Sequence, residues 1–173
     1  MDVSIITTTI NVPTVIKNYC QNAKTYGYDD VNFIIVGDKQ TPLEVTDFCN
    51  GLVKQYGLSI LYYDVKRQLD YLQRFPDLAD YLPFNSPERR NVGLLIAYEM
   101  GTDFVITIDD DNFPIANQDF IGAHSALLRS KDRLCITSSS GWFNVCNMLT
   151  EEENRPFYHR GFPLGQRWQK ETI

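Results

Sequence analysis

The strongest chemical signal is a run of three adjacent carboxylates, Asp109-Asp110-Asp111, directly after the apolar run Phe104-Val105-Ile106-Thr107-Ile108. Three carboxylates in a row repel one another, and at the end of a buried strand that repulsion is weakly screened. A hard cation such as Mg²⁺ or Mn²⁺ relieves it, because such ions take carboxylate oxygens. A cation of this kind keeps positions open for phosphate oxygens and acts as a Lewis acid toward a leaving diphosphate. The competing reading is a solvated acidic turn or a helix cap, since Asp is common at both.

Other groups could serve the same chemistry. Arg89-Arg90-Asn91 falls in the first turn of a predicted helix. Guanidinium groups there could pair with a diphosphate or with the carboxylates through their planar fork. Cations in a first helical turn oppose the helix dipole, a mildly costly placement for ordinary surface arginines. Asp38, after Gly37, could hydrogen-bond a base or ribose, although Gly-Asp is also ordinary turn chemistry. His159 and Arg160 are weak candidates for closing over a diphosphate; a loop packing Phe157, Tyr158 and Phe162 onto the body explains that stretch as well. His124 lies on an apolar helical face and is expected to be a core histidine. There is no GxxxxGK[ST] loop, no GxGxxG after the first strand and no GxSxG elbow.

The elements that must position these groups alternate between strand and helix. Strands are predicted at Val3–Thr9, Asn32–Val36, Leu58–Tyr63, Asp103–Ile108 and Leu134–Thr137. Helical spacing runs from Thr14 to Tyr26, from near Pro42 to Gly57, and through Phe120, Ile121, His124, Leu127 and Leu128. Ser86-Pro87 forms a helix start, a Ser cap followed by Pro, for a helix ending at Gly101. The segment 64–85 holds Pro76 and Pro83 and reads as an irregular excursion with one helical turn. Such alternation predicts an α/β fold, a mostly parallel sheet with helices on both faces. Ligands bind such sheets at the carboxyl ends of the strands. Three polar clusters fall at predicted strand ends: Thr7-Thr8-Thr9, Asp38-Lys39 and Asp109-Asp110-Asp111.

Composition sets the outer bounds. The chain has 173 residues, 43% hydrophobic and 22% charged, enough for one globular domain with a core. A net charge of -6 disfavours nucleic acid as a partner. It leaves phosphate ligands open if a metal supplies the positive charge. Cys20, Cys49, Cys135 and Cys146 match no zinc spacing and form no CxxC pair; Cys20 and Cys49, on apolar helical faces, are expected to be free buried thiols, and with them a reducing, cytoplasmic setting is expected. No basic leader precedes the first strand, and no stretch reaches the ~18 apolar residues of a membrane span. An intact domain and a fragment of a longer protein would both have this form.

The order of motifs resembles the GT-A glycosyltransferases. The stretch ERRNVGLLIAYEMGTDFVITIDDDNFP, Glu88 to Pro114, is similar to the family's Arg-bearing helix, Gly turn, strand and DxD motif. Two subgroups look closest. The reversibly glycosylated polypeptides, or UDP-arabinopyranose mutases, share a TIDDD-type strand end and an RGYP-type motif, here Arg160-Gly161-Phe162-Pro163. The STELLO-like group resembles VGDKQTP and YLPFNSPERRNVG.

The resemblance covers about residues 3 to 165, with specific motifs in parts of it, and implies that the chain, 1–173, is a single Rossmann-like GT-A domain that binds a nucleotide-sugar donor, a UDP-sugar by family preference. It implies a metal, Mn²⁺ or Mg²⁺, on Asp109 and Asp111, with Asp111 the main ligand and Asp110 facing the ribose or the metal. Thr7, Thr8, Asp38 and Arg90 would line the nucleotide pocket, with Arg89 a further candidate. The expected activity is metal-dependent sugar transfer to a glycan or other acceptor. A nucleotide-sugar mutase and a non-catalytic GT-A-like binding module are the alternatives. Family members carry a base or further ligand well beyond the DxD motif; here Glu151, Glu152 and Glu153 qualify only by default. A DxD phosphatase fits poorly, because its aspartates follow the first strand and this triplet follows the fourth.

Overall fold

The computed structural model describes residues 1–128, 137–138, 141–148 and 158–167. The chain divides into two compact units, residues 1–129 and 130–173.

The first unit is an α/β layer structure of Rossmann-like type, as the alternation predicts. Its sheet has four parallel strands, β1 (Val3–Thr9), β2 (Val31–Gly37), β3 (Ser59–Tyr63) and β4 (Phe104–Thr107), in the order β3-β2-β1-β4. The inner strands β1 and β2 are buried almost throughout, which is why they read as continuous apolar runs rather than alternating ones. Register is direct: Val3 pairs with Val31 on one side and with Phe104 on the other.

Successive residues of each strand feed opposite faces of the sheet. Val3, Ile5, Phe33, Ile35, Ile60 and Ile106 pack with α1 (Ile16–Thr25), α2 (Glu44–Tyr56) and α6 (Phe120–Ser125). Ile6, Ile34 and Val36 pack with α3 (Val65–Leu72) and α5 (Arg90–Glu99). Helices therefore cover both faces. Cys20 and Cys49 are unpaired thiols in the first of these cores, where burial pushes both pKa values up to about 12.

The segment 64–85 departs from its expectation. It forms two helices, α3 and α4 (Pro76–Tyr81), rather than an irregular excursion. Asp64 caps α3, its side chain accepting from Arg67 N at 2.7 Å, and Pro76 stands at the first position of α4, where a missing N–H costs nothing. Ser86-Pro87 opens a single 3₁₀ turn, Pro87–Arg89, and the α-helix proper begins at Arg90.

Gly93 explains how closely α5 approaches the sheet. A Cβ there would stand 2.5 Å from Ile6 Cγ2 and 3.2 Å from Val36 Cγ2. A helix-interior glycine costs about 1 kcal/mol relative to alanine, and here it lets the helix carrying Arg90 lie down on β1 and β2.

In the second unit Asn144 is buried, and its Oδ1 accepts from the backbone N–H groups of Cys146 and His159. Tyr158 and Phe162 stack with centroids 5.3 Å apart, and Tyr158 donates to Arg167 O. The predicted strand at Leu134–Thr137 falls on positions 134–136, outside the described residues, as do Glu151, Glu152 and Glu153.

Candidate functional site

The strand order fixes where a ligand can enter. From β1 the chain moves outward to β2 and β3, then returns to the opposite side of β1 for β4. Loops leaving β1 and β4 must part at that reversal, and the crevice they leave opens at the carboxyl ends of the strands.

A cavity of about 360 Å³ lies there, lined by Thr8, Thr9, Ile10, Asp38, Asn85, Ser86, Pro87, Arg90 and Asp109 to Asp111. The three polar clusters read at strand ends thus meet in one place. Thr41 ties two of those ends together: its Oγ1 accepts from Asp38 N at 2.6 Å and donates to Thr9 O at 2.7 Å.

At one side of the cavity Arg90 Nη2 meets Asp109 Oδ1 at 2.5 Å and reaches Ile108 O at 3.4 Å. The side chains are 25% and 61% exposed, so this pair is solvent-screened and contributes little to stability. Arg90 Nε is buried and has no hydrogen-bond partner among the described residues. Asp110 Oδ2 takes the Thr9 hydroxyl at 2.5 Å, a proton that Thr9 shares with Asn11 O at 2.8 Å.

The triplet differs from its expectation in one respect. β4 ends at Thr107, and Asp109 and Asp111 are exposed, so water screens their repulsion. Their carboxylates also do not form a cage: among the described residues no three His, Cys, Asp or Glu side chains converge on a common point. The donor set fits a hard cation that takes one or two carboxylates here and its remaining ligands from a bound diphosphate. It does not fit a cation enclosed by protein alone.

Two expected pocket residues lie elsewhere. Thr7 is 1% exposed, and its hydroxyl turns back to Thr8 O at 3.2 Å, because it stands two residues inside the end of β1, where helices cover both faces. Arg89 is 1% exposed and is not among the residues that line the cavity. Its guanidinium donates to Gln68 Oε1 from Nε at 3.1 Å and from Nη2 at 2.5 Å, and from Nη1 to Leu82 O at 3.2 Å. Gln68 in turn donates to Gly37 O and Tyr63 O at the ends of β2 and β3. Burial pushes the Arg89 pKa down, and the nearby Asp38 charge pulls it part of the way back.

His159 and Arg160 belong to the second unit. There Arg160 is exposed and His159 packs edge-on to Phe162 at 5.3 Å. His124 is not the core histidine expected: it is half-buried, its Nδ1 2.8 Å from Phe120 O, and it lines a second cavity with Tyr19 and Phe120.

Sequence reasoning missed Asn85, Ile10 and Gln68 and read Ser86 only as a cap. A signal for Asn85 and Ser86 existed: a helix that leads back into a strand of a parallel sheet starts at the carboxyl edge, beside the crevice. Gln68 gave none, since it falls in a segment read as irregular. No protein-family model matches the chain, and no curated protein matches it in sequence.

Proposed function

We propose that the chain is a glycosyltransferase domain that binds a nucleotide-diphosphate sugar, a UDP-sugar in the first instance, together with Mn²⁺ or Mg²⁺, and passes the sugar to an acceptor. The observation that carries this reading is the meeting of Arg90, the Asp109–Asp111 triplet and the polar ends of β1 and β2 around one cavity at the strand-order reversal. The resemblance of Glu88 to Pro114 to the GT-A pattern supports it from the sequence side.

Each residue has a task in this reading. Arg90, on the cavity lining, donates to a phosphate oxygen, while Asp109 holds the guanidinium plane through Nη2. Thr9 fixes the Asp110 carboxylate beside the ribose or the cation. Asp111, exposed on the lining, offers oxygens to the cation. When bound, the cation offsets the charge that builds on the leaving diphosphate. The free thiols of Cys20 and Cys49 support a reducing, cytoplasmic setting. No described helix is long and apolar enough to cross a membrane.

Calorimetry with UDP tests the reading. Affinity is expected to fall roughly tenfold or more when Mn²⁺ and Mg²⁺ are removed, and again in Asp111→Asn with metal present. UDP affinity indifferent to metal and unchanged in Asp111→Asn overturns it.

A further inference from the structure

Asp38 lines the cavity, but its carboxylate is already engaged. Oδ1 accepts from Lys39 N at 2.6 Å and Oδ2 from Asn85 N at 2.7 Å. The residue is only 8% exposed. Both oxygens are thus committed to backbone donors, and Asp38 does structural work at the cavity wall.

The beneficiary of that work is Asn85. It has φ 53°, in the left-handed region that asparagine tolerates better than other non-glycine residues. Its neighbours hold that conformation in place. Here the Phe84 ring lies between Lys39 Nζ at 4.4 Å and the Arg89 guanidinium at 4.2 Å. Arg89 also holds Leu82 O, and Asp38 holds Asn85 N. The loop that presents Asn85 is therefore clamped from the ends of β2 and from the buried arginine, while Asn85 itself stays exposed on the cavity lining.

The sheet separates the two ends of the cavity. β2 and β4 flank β1, so their ends stand two strand spacings apart, about 10 Å. Arg90 and Asp109 form the charged end, at β4. Asn85 forms a neutral polar end, at β2. A nucleoside diphosphate has the same polarity, charged phosphates at one end and an uncharged base at the other.

We infer that Asn85 recognises the base of the bound nucleotide, and that Asp38 is a positioning residue that acts through Asn85 by fixing its backbone. This rests on the nucleotide-diphosphate reading above. A carboxamide offers a donor and an acceptor side by side, which matches the amide-like edge of a nucleobase; a carboxylate only accepts. The ligand class is a nucleotide whose base presents an N–H next to a C=O.

The test combines two measurements on the full chain. In calorimetry with Mn²⁺, Asn85→Ala should weaken UDP roughly tenfold and leave inorganic pyrophosphate unchanged. Asp38→Ala should do the same, and the double variant should be no worse than either single one. Additive losses overturn the positioning role, since Asp38 would then contact the ligand itself. In hydrogen exchange on the ligand-free protein, the Asn85 amide should be protected in the wild type, unprotected in Asp38→Ala and partly protected in Asp38→Asn, which keeps one acceptor. An amide still protected in Asp38→Ala also overturns that role. Wild-type binding of UDP and pyrophosphate that survives Asn85→Ala overturns the base assignment alone. A wild type that binds neither probe overturns the diphosphate reading and the base assignment together.

Discussion

The two faces of the sheet are built from the same strands but do different work. The face under α1, α2 and α6 is a uniform apolar core: Val3, Ile5, Phe33 and Ile35 of the sheet against Ile16, Tyr19, Cys20, Val45 and Leu52 of the helices. The face under α3 and α5 is thinner and carries buried polar groups, Gln68 and Arg89, among Ile6, Ile34, Val36, Leu72 and Val92. Burying an amide and a guanidinium is costly unless their hydrogen bonds are made. The bonds that are made run to Gly37 O, Tyr63 O and Leu82 O, at strand ends and on the cavity loop. One face therefore contributes mainly stability. The other gives up some apolar burial and in return ties the cavity wall to the sheet.

The largest expected effect separates the two roles. Phe33→Ala removes a fully buried ring from the apolar face and should cost about 3–5 kcal/mol of unfolding free energy in urea titration. Ligand affinity of the folded fraction should hold, because no residue of that cluster lines the cavity. A parallel loss of affinity would mean that both faces shape the cavity and would break the comparison.

Arg89→Met tests the polar face and should cost less, about 1–3 kcal/mol, because Gln68 Oε1 and Leu82 O lose their donor. Its signature lies in the cavity. Hydrogen exchange should quicken along 82–86, since Phe84 loses one of its two cations and Leu82 loses its tether. A variant that is destabilised yet unchanged along 82–86 would reduce Arg89 to ordinary core packing.

The same asymmetry explains what could be seen in the sequence. The apolar face was legible: β1 and β2 follow from short β-rich runs, α1 and α2 from helical spacing, and Cys20 and Cys49 are the buried thiols their place on apolar helical faces predicts. At the site, residues at strand ends were legible because the parallel sheet fixes where those ends must lie; Thr8, Asp38, Arg90 and Asp109–Asp111 all line the cavity. Residues whose role depends on tertiary partners were not. Arg89 and Arg90 are adjacent in sequence, but one turn of 3₁₀ geometry sends the first into the core and the second to the cavity. Asn85 depends on Asp38, 47 residues away, for its backbone. Two short helices in 64–85 escaped because each is under three turns, too short for periodicity to stand out from two prolines.

The smallest effect concerns one of those helices. Asp64→Ala removes the cap of α3 and should cost about 1 kcal/mol, the ordinary value of an N-cap. On a helix of the apolar face that loss would stay local. On α3 it should travel, because Gln68 stands one turn from the cap and carries the bonds to Gly37 O, Tyr63 O and Arg89. Fraying at Asp64 should therefore raise exchange at Asn85 as well as at Arg67 and Gln68. For contrast, Glu44→Ala removes an acidic first-turn residue from α2, on the other face, and should leave Asn85 exchange unchanged. Equal responses at Asn85 to the two substitutions would show that the polar network does not transmit from α3 to the cavity, and that Asp38 and Arg89 hold the loop without help from the α3 cap.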